Sequence, residues 1–302
     1  WVANSTSEGS LSKINIFTGE RIAYPVNPYP GDIVFDNITG SIWITDYILN
    51  RVSKVNIHTG EKTDYSTGVY PYGIAFDNIT NSVWTANRYS NSISKINIHA
   101  GERVDYPIGA YARHIVFDSV TNSIWVTNGL NIISKVNINT GVKVDYVVNA
   151  YSIDIVFDNI TNSIWTTNLM SVSKINIHTG ERVDYPIGVQ PYNIAFDNIT
   201  NSIWTTNNIA RSISKINIHT GERIEYPINN LQPYDIAFDS VTSSVWVTNS
   251  TVDLISKIAI GEPTIPTTIS TLSFSEEEGY LLDGINPNKG TASSTPMTFK
   301  II

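Results

Sequence analysis

The 302-residue sequence contains no cysteine, so it can form neither a disulfide framework nor a cysteine-based metal site. No apolar run approaches the roughly 18 residues that a membrane-spanning helix needs, and we expect no membrane span in this segment. Only 15% of the residues are charged, and the formal net charge is −8. Nucleic-acid-binding proteins present basic patches or stripes, so this balance argues against a nucleic-acid partner.

Short catalytic signatures are also missing. The sequence has no glycine-rich phosphate loop, H-E-x-x-H pair, G-x-S-x-G elbow or zinc-ligand spacing. These absences do not exclude an enzyme, because an active site can be assembled from residues that lie far apart in the sequence. The weakly charged, polar composition is typical of an exported protein, and an extracellular or cell-surface location is expected.

Seven tryptophans recur at gaps of 39 to 42 residues, and each begins a similar tetrapeptide such as WITD, WTAN or WVTN. They are Trp1, Trp43, Trp84, Trp125, Trp165, Trp204 and Trp246. A fixed period near 40 residues, built of strand-like segments alone, predicts a β-propeller.

One repeat shows how a blade is built. Residues 73–77 form a short apolar run that is typical of a strand buried on both faces. A D-N-I-T-N-S turn leads to a second strand at 83–86, which carries the tryptophan. A third, isoleucine-rich strand follows at 92–99, and the charged residues of 102–107 suit an exposed edge strand. Four antiparallel strands per repeat are therefore predicted.

The repeat predicts seven blades whose ring closure is shared between the two ends of the chain. Tryptophan strands and third strands occur seven times, but inner strands occur six times, at 33–35, 74–76, 115–117, 155–157, 194–196 and 236–238. The first blade thus lacks an inner strand, which we expect upstream of Trp1. Residues 264–274 offer the outer strand that the last blade lacks.

We therefore expect an all-β fold, a seven-bladed β-propeller of four-stranded antiparallel blades followed by a short partial β, immunoglobulin-like segment. The expected divisions are the propeller at 1–262, a closing strand or linker at 263–275, and the start of a second β module or a pairing tail at 276–302. About 25 residues cannot bury a core alone.

The units PYGIAFD…SVWTAN…ISKINI…G and PYNIAFD…SIWTTN…ISKINIHTGERVDYP resemble the YVTN-type surface propellers of archaea and bacteria. They are also similar to the wider group that holds NHL repeats and the virginiamycin B lyase. The resemblance covers residues 1 to about 260. It implies the propeller fold, and it leaves the function open, because these families range from cell-surface and scaffolding proteins to a lyase.

In a propeller, the inner strands begin and the tryptophan strands end at one face, around the channel mouth. The residues that enter the inner strands are Asp32, Gly73, His114, Asp154, Asn193 and Asp235. Such a ring can contact channel water, hold Ca²⁺ or Mg²⁺ through oxygen ligands, or place a histidine beside carboxylates for acid–base work. The lyase resemblance implies a histidine and a divalent metal at this face, and only His114 matches in kind.

Tyrosines also precede the inner strands and are expected either to dock a glycan or peptide or to separate neighbouring blades. They are Tyr29, Tyr70, Tyr72, Tyr111, Tyr151, Tyr192 and Tyr234. The repeated tryptophans are expected to form the core between blades. The remaining histidines, His58, His99, His178 and His219, recur in a turn where Phe17 and Asn139 substitute, and we interpret them as turn or surface residues.

Six N-x-[ST] sequons are candidate glycosylation sites if the protein is exported: Asn4, Asn37, Asn78, Asn159, Asn198 and Asn249. Four of them occupy the same D-N-I-T turn, on the face opposite the channel mouth. An asparagine favoured by the turn itself explains these four equally, because sister repeats carry Asp-Ser there.

Three functions remain open. The near identity of the blades favours a non-enzymatic structural, adhesion or filament-forming unit, with other copies of itself or cell-surface proteins as partners and no cofactor beyond the channel cation considered above. A lyase-like, metal-dependent enzyme would use His114 with Asp154 or Asp32. A glycan- or peptide-binding propeller would use the tyrosines. Arg113 and His114 form the sharpest departure from the repeat, and an enzyme should concentrate its departures there.

Overall fold

The structure, a computed structural model, describes residues 1–5, 8–109, 111–149, 151–187, 190–228, 232–251 and 254–260, and the backbone of two strands at 269–273 and 298–299. The strands form seven four-stranded antiparallel sheets. The predicted seven-bladed β-propeller is therefore confirmed. Most of the segment expected to be immunoglobulin-like, 276–302, lies outside the described residues. No helix in the described part of the chain is long and apolar enough to cross a bilayer.

Each blade takes its strands in chain order from the channel outward. The first blade contains β1 (Val2–Asn4), β2 (Ser10–Ile14) and β3 (Arg21–Pro25). The second contains β4 (Pro30–Asp36), β5 (Ser41–Asp46), β6 (Arg51–Asn56) and β7 (Lys62–Ser66). The third contains β8 (Pro71–Asp77), β9 (Ser82–Asn87), β10 (Ser92–Asn97) and β11 (Arg103–Pro107). The fourth contains β12 (Ala112–Asp118), β13 (Ser123–Asn128), β14 (Ile132–Asn137) and β15 (Lys143–Val147).

The remaining blades repeat this pattern. The fifth contains β16 (Ser152–Asp158), β17 (Ser163–Asn168), β18 (Ser171–Asn176) and β19 (Arg182–Pro186). The sixth contains β20 (Pro191–Asp197), β21 (Ser202–Asn207), β22 (Ser212–Asn217) and β23 (Arg223–Pro227). The seventh contains β24 (Pro233–Asp239), β25 (Ser244–Asn249), β26 (Leu254–Ala259) and β27 (Ile269–Ser273). β28 (Thr298–Phe299) joins the first sheet.

Ring closure differs in part from the expectation. The inner position of the first blade, which we expected to be filled from upstream of Trp1, is occupied by β28, which pairs antiparallel with Val2 and Ala3. A short extended segment suffices, because β1 offers only a three-residue edge. The outer strand of the seventh blade is β27, which pairs with β26 and lies within the stretch that the sequence offered for this position.

A repeated polar link stabilises each blade. In blades two to seven the tryptophan indole N–H donates to an aspartate at the end of the inner strand, at 3.1 to 3.4 Å. The same aspartate accepts two backbone N–H groups of its own turn, as Asp36 does from Ile38 and Thr39. These tryptophans are at most 3% exposed. They belong to the core between strands and blades, as predicted, and the aspartate satisfies their one polar group.

Lysines extend this link to the next blade. The ammonium groups lie 5.1 to 5.7 Å from the tryptophan ring centroids. Five of these lysines also donate to an isoleucine carbonyl of the following blade, at 2.9 to 3.3 Å: Lys54, Lys95, Lys135, Lys174 and Lys257. Cation–π attraction and a charged hydrogen bond therefore act at the same junction. Burial lowers the pKa of Lys54 and Lys95, and the neighbouring aspartate partly opposes this.

Candidate functional site

The ring residues are held in position by a bulge at the start of each inner strand. In the second blade the register shifts between Pro30 and Ile33, and equivalent shifts occur in blades three to seven. The extra residue would leave a backbone N–H without a strand partner. A threonine hydroxyl of the adjacent strand accepts it instead, as Thr45 accepts the N–H of Asp32 at 2.8 Å.

The same bond fixes four more ring residues, His114, Asp154, Asn193 and Asp235, at 2.9 to 3.1 Å. The third blade departs from this pattern. It has Ala86 in place of the threonine, and its ring residue is Gly73. A Cβ on Gly73 would lie 2.7 Å from the carbonyl oxygen of Arg113. The inner strands of the third and fourth blades therefore approach each other closely at this position.

Around the channel, side chains of the ring residues form hydrogen bonds with residues of the next blade. Nδ1 of His114 lies 3.1 Å from Oδ1 of Asp154. The other oxygen of Asp154 accepts the backbone N–H of Ile194 at 3.0 Å. Asn193 donates its amide to Asp235 at 2.6 Å. The second carboxylate oxygen of Asp32 accepts the N–H of Ile74 at 3.1 Å, so these polar groups also join neighbouring inner strands.

Charge and hydrogen bonding keep Asp154 ionised. Burial alone would raise the pKa of this carboxyl, but the His114 imidazole and the backbone N–H groups of Ile155 and Ile194 outweigh burial and lower its pKa below the ordinary value. The His114–Asp154 pair can therefore hold a histidine in one orientation, which is the arrangement that a general base requires.

The predicted ring residues other than Gly73 line one cavity of about 550 Å³. They are Asp32, His114, Asp154, Asn193 and Asp235. They do not converge as metal ligands: among the residues that the structure describes, no three histidine, aspartate or glutamate side chains are placed to hold a metal ion. Instead, ring side chains of neighbouring blades form pairs, His114 with Asp154 and Asn193 with Asp235.

The cavity also has a lining from the loops of the second and third blades, including Tyr47, Tyr70 and Arg88. Tyr47 and Arg88 directly follow the tryptophan strands, and we did not single them out from the sequence. The signal was present, because sister repeats carry Gly129, Leu169, Asn208 and Ser250 at this position, which makes it one of the most variable in the repeat.

Aromatic rings at the mouth pack between blades as well as beside the cavity. Tyr70 lies between Tyr47 and Tyr89, with ring centroids 4.9 and 4.6 Å away. Tyr72 meets the His114 ring edge to face at 5.1 Å. Three of the seven mouth tyrosines, Tyr29, Tyr70 and Tyr111, have positive φ angles of 54°, 61° and 59°, so their loops hold them in a backbone conformation that nonglycine residues seldom adopt.

Arg113 is enclosed by tyrosines of other blades. Its guanidinium carbon lies 5.3 to 5.8 Å from the ring centroids of Tyr72, Tyr151 and Tyr192. Its terminal nitrogens donate to the hydroxyls of Tyr151 at 3.2 Å and Tyr192 at 3.1 Å. Because these tyrosines come from the third, fifth and sixth blades, the cluster reaches across the channel. The guanidinium of Arg113 therefore makes its contacts with tyrosines of the protein itself.

The candidate glycosylation sites divide into two groups. The four turn asparagines, Asn37, Asn78, Asn159 and Asn198, are exposed. Asn4 instead donates its amide to Ser10 and Ser12 at 2.7 and 2.8 Å, and Asn249 is 4% exposed. Of the six candidates, the four turn asparagines are the exposed ones. The four turn histidines are also exposed.

The fold and the cavity define a seven-bladed β-propeller whose central cavity is lined by tyrosines, polar ring residues and apolar residues of the inner strands. No protein-family model matches the chain, and no curated protein sequence matches it. Among solved structures it is similar to the virginiamycin B lyase from Staphylococcus aureus, with 21% identity, a TM-score of 0.70, and coverage of 81% of this chain and 84% of that one.

Other propellers match with lower identity. The dihydro-heme d1 dehydrogenase NirN gives 13% identity, a TM-score of 0.73, and coverage of 91% of this chain and 63% of that one. A chain of the nidogen/laminin complex gives 15% identity, a TM-score of 0.61, and coverage of 75% and 92%. At these identities the likeness establishes the fold alone, and it is consistent with the sequence resemblance to YVTN- and NHL-type propellers.

Proposed function

We propose that this chain is a non-enzymatic, cell-surface binding module that holds a peptide or a glycan at its channel mouth. One observation carries the proposal. The blades are nearly identical in core and junctions, whereas the residues that differ from blade to blade gather at the mouth, where they line a cavity of about 550 Å³. A volume in this range suits a small ligand or the end of a chain.

The lining supports this function in chemical terms. Tyr47 and Tyr70 present flat rings with polar tips beside carboxylate and amide groups of the ring. Tyrosine binds sugars and peptides through its apolar face and its hydroxyl. The low charge content of the sequence agrees with a cell-surface location, where other copies of this chain or surface proteins would be its neighbours.

The test is a binding screen against an immobilised glycan array and a random peptide library, repeated with Tyr70→Ala. Tyr111→Ala is the matched control, because Tyr111 has the same positive φ and the same place before its inner strand but does not line the cavity. We expect specific ligands whose binding is lost in Tyr70→Ala and kept in Tyr111→Ala. Equal binding by both variants, or no ligand in either library, would contradict the proposal.

A lyase-like enzyme is the second candidate, favoured by the His114–Asp154 pair. With Nδ1 facing Asp154, Nε2 is the nitrogen that would accept a proton from a substrate. We derive no step through a divalent metal, and the candidate is argued from these two side chains. Incubation with virginiamycin B, followed by chromatography, tests this candidate directly. Turnover that disappears in His114→Ala would replace the binding proposal with an enzymatic one.

A further inference from the structure

Arg88 is placed where a ligand would enter the cavity. It is the first residue after β9, and it lines the cavity together with Tyr47 and Tyr70. Its backbone N–H donates to the carbonyl of Tyr70 at 2.9 Å, which fixes the loop on which the side chain stands. Its sister positions carry uncharged residues. The arginine is therefore a feature of this one blade and of this end of the channel.

The guanidinium of Arg88 has no carboxylate partner within the described residues. Four other arginines of the described residues pair with an acid: Arg51 with Asp46 and Asp64, Arg103 with Asp105, Arg182 with Asp184, and Arg223 with Glu225. Arg88 instead lies over the ring of Tyr89, with its guanidinium carbon 5.7 Å from the centroid. A half-buried cation beside a cavity is stabilised most when a bound anion supplies the missing charge-assisted hydrogen bonds.

We propose that Arg88 binds a carboxylate of the ligand, and that the ligand's adjoining apolar face packs on the Tyr47–Tyr70–Tyr89 rings. This inference rests on the proposed binding function and specifies its ligand. A carboxylate matches the planar guanidinium with two parallel hydrogen bonds. A more highly charged phosphate is disfavoured, because Asp32, Asp154 and Asp235 line the same cavity and would repel it.

Two sources can supply this chemistry: a uronic acid of a glycan, or the C-terminal carboxylate of a peptide. Four probes separate them in calorimetric titrations of the whole chain. Methyl galacturonoside, which carries one carboxylate, is compared with its neutral counterpart methyl galactoside, and a tetrapeptide ending in phenylalanine is compared with its C-terminal amide. We expect one acidic probe to bind about 10-fold or more tightly than its neutral partner, as a charged hydrogen bond implies.

The variant Arg88→Gln tests the residue. It should lower the affinity for the acidic probe about 10-fold or more and leave the affinity for its neutral partner unchanged. Arg103→Gln is the matched control, because it removes one positive charge from the same blade on an exposed outer strand; it should change neither affinity. Thermal melting of both variants verifies that they fold.

The outcomes distinguish this inference from the function on which it rests. Equal affinity for acidic and neutral probes, with loss of both in Tyr70→Ala, would overturn the role of Arg88 and leave the binding function standing. Failure of all four probes to bind at 1 mM would overturn the carboxylate ligand, and the binding function would then be decided by the library screen. An acidic probe that binds Arg88→Gln as tightly as the unaltered chain would overturn the inference as well.

Discussion

Gly73 is the ring position where a single methyl group should be most costly. A Cβ there would lie 2.7 Å from the carbonyl oxygen of Arg113, 2.9 Å from Cα of His114 and 3.2 Å from the backbone N of Ile115. All three are backbone atoms of the next blade, so no side-chain rotation relieves the contact. Overpacking of this kind costs about 1–3 kcal/mol.

A second effect of Gly73→Ala partly offsets the stability that the clash removes. Alanine restricts the unfolded chain and stabilises the folded state by about 0.4–1 kcal/mol where the native backbone accepts it. Sister ring positions carry side chains, which indicates that the backbone does accept it. We therefore expect a net loss of roughly 1–2 kcal/mol in the free energy of unfolding, measured by urea denaturation with tryptophan fluorescence.

Gly73→Asp separates the clash at Cβ from crowding in the channel. Aspartate occupies this position in the second, fifth and seventh blades, and atoms beyond Cβ point into the cavity there. If the Cβ contact alone sets the cost, the aspartate and alanine variants should lose similar stability. An alanine variant within about 0.3 kcal/mol of the unaltered chain, less than the usual effect of even a mild overpacking, would refute the reasoning.

Three further predictions follow from the described contacts. Asp118→Ala removes the acceptor of the Trp125 indole at 3.2 Å and of two backbone N–H groups, so urea denaturation should show a loss of about 3 kcal/mol or more, against less than about 1 kcal/mol for the exposed Asp105→Ala. The folded-state pKa of Asp154 is lowered, so its stabilisation is complete above the unfolded pKa of about 4 and is lost as the pH falls through the lower folded value. The stability difference between the unaltered chain and Asp154→Asn should shrink accordingly in acid-titrated melts. If the protein is glycosylated, mass spectrometry should find glycans on the four exposed turn asparagines and none on the buried Asn249.

The repeat predicted the fold because each blade is a local unit with its own strand and turn signals. The tryptophan spacing, the D-N-I-T turns and the apolar inner strands all repeat, and the structure reproduces them as seven sheets. The ring residues were found for the same reason: the position that enters each inner strand can be read directly from an aligned repeat.

The pairing of the ring residues could not be read in the same way. The sequence suggested that Asp32, Asp154 and Asp235 converge on one axis. Each carboxylate also accepts a hydrogen bond from a neighbouring strand: Asp154 from the Ile194 N–H, Asp32 from the Ile74 N–H, and Asp235 from the Asn193 amide. Such bonds depend on the register between adjacent blades, which the bulges set. The first blade's inner strand was misplaced because a two-residue strand such as Thr298–Phe299 has no recognisable pattern.

The lysine links have a consequence for how such proteins change size. Five of the lysines reach an isoleucine carbonyl of the following blade, so donor and acceptor are the same at these junctions. An added blade would thus bring both the lysine donor and the isoleucine carbonyl acceptor, and removal of a blade would leave this pair at the new junction. Neither change needs a new complementary surface. Gene rearrangement can add or remove whole units, and curvature alone would then decide which number closes the circle.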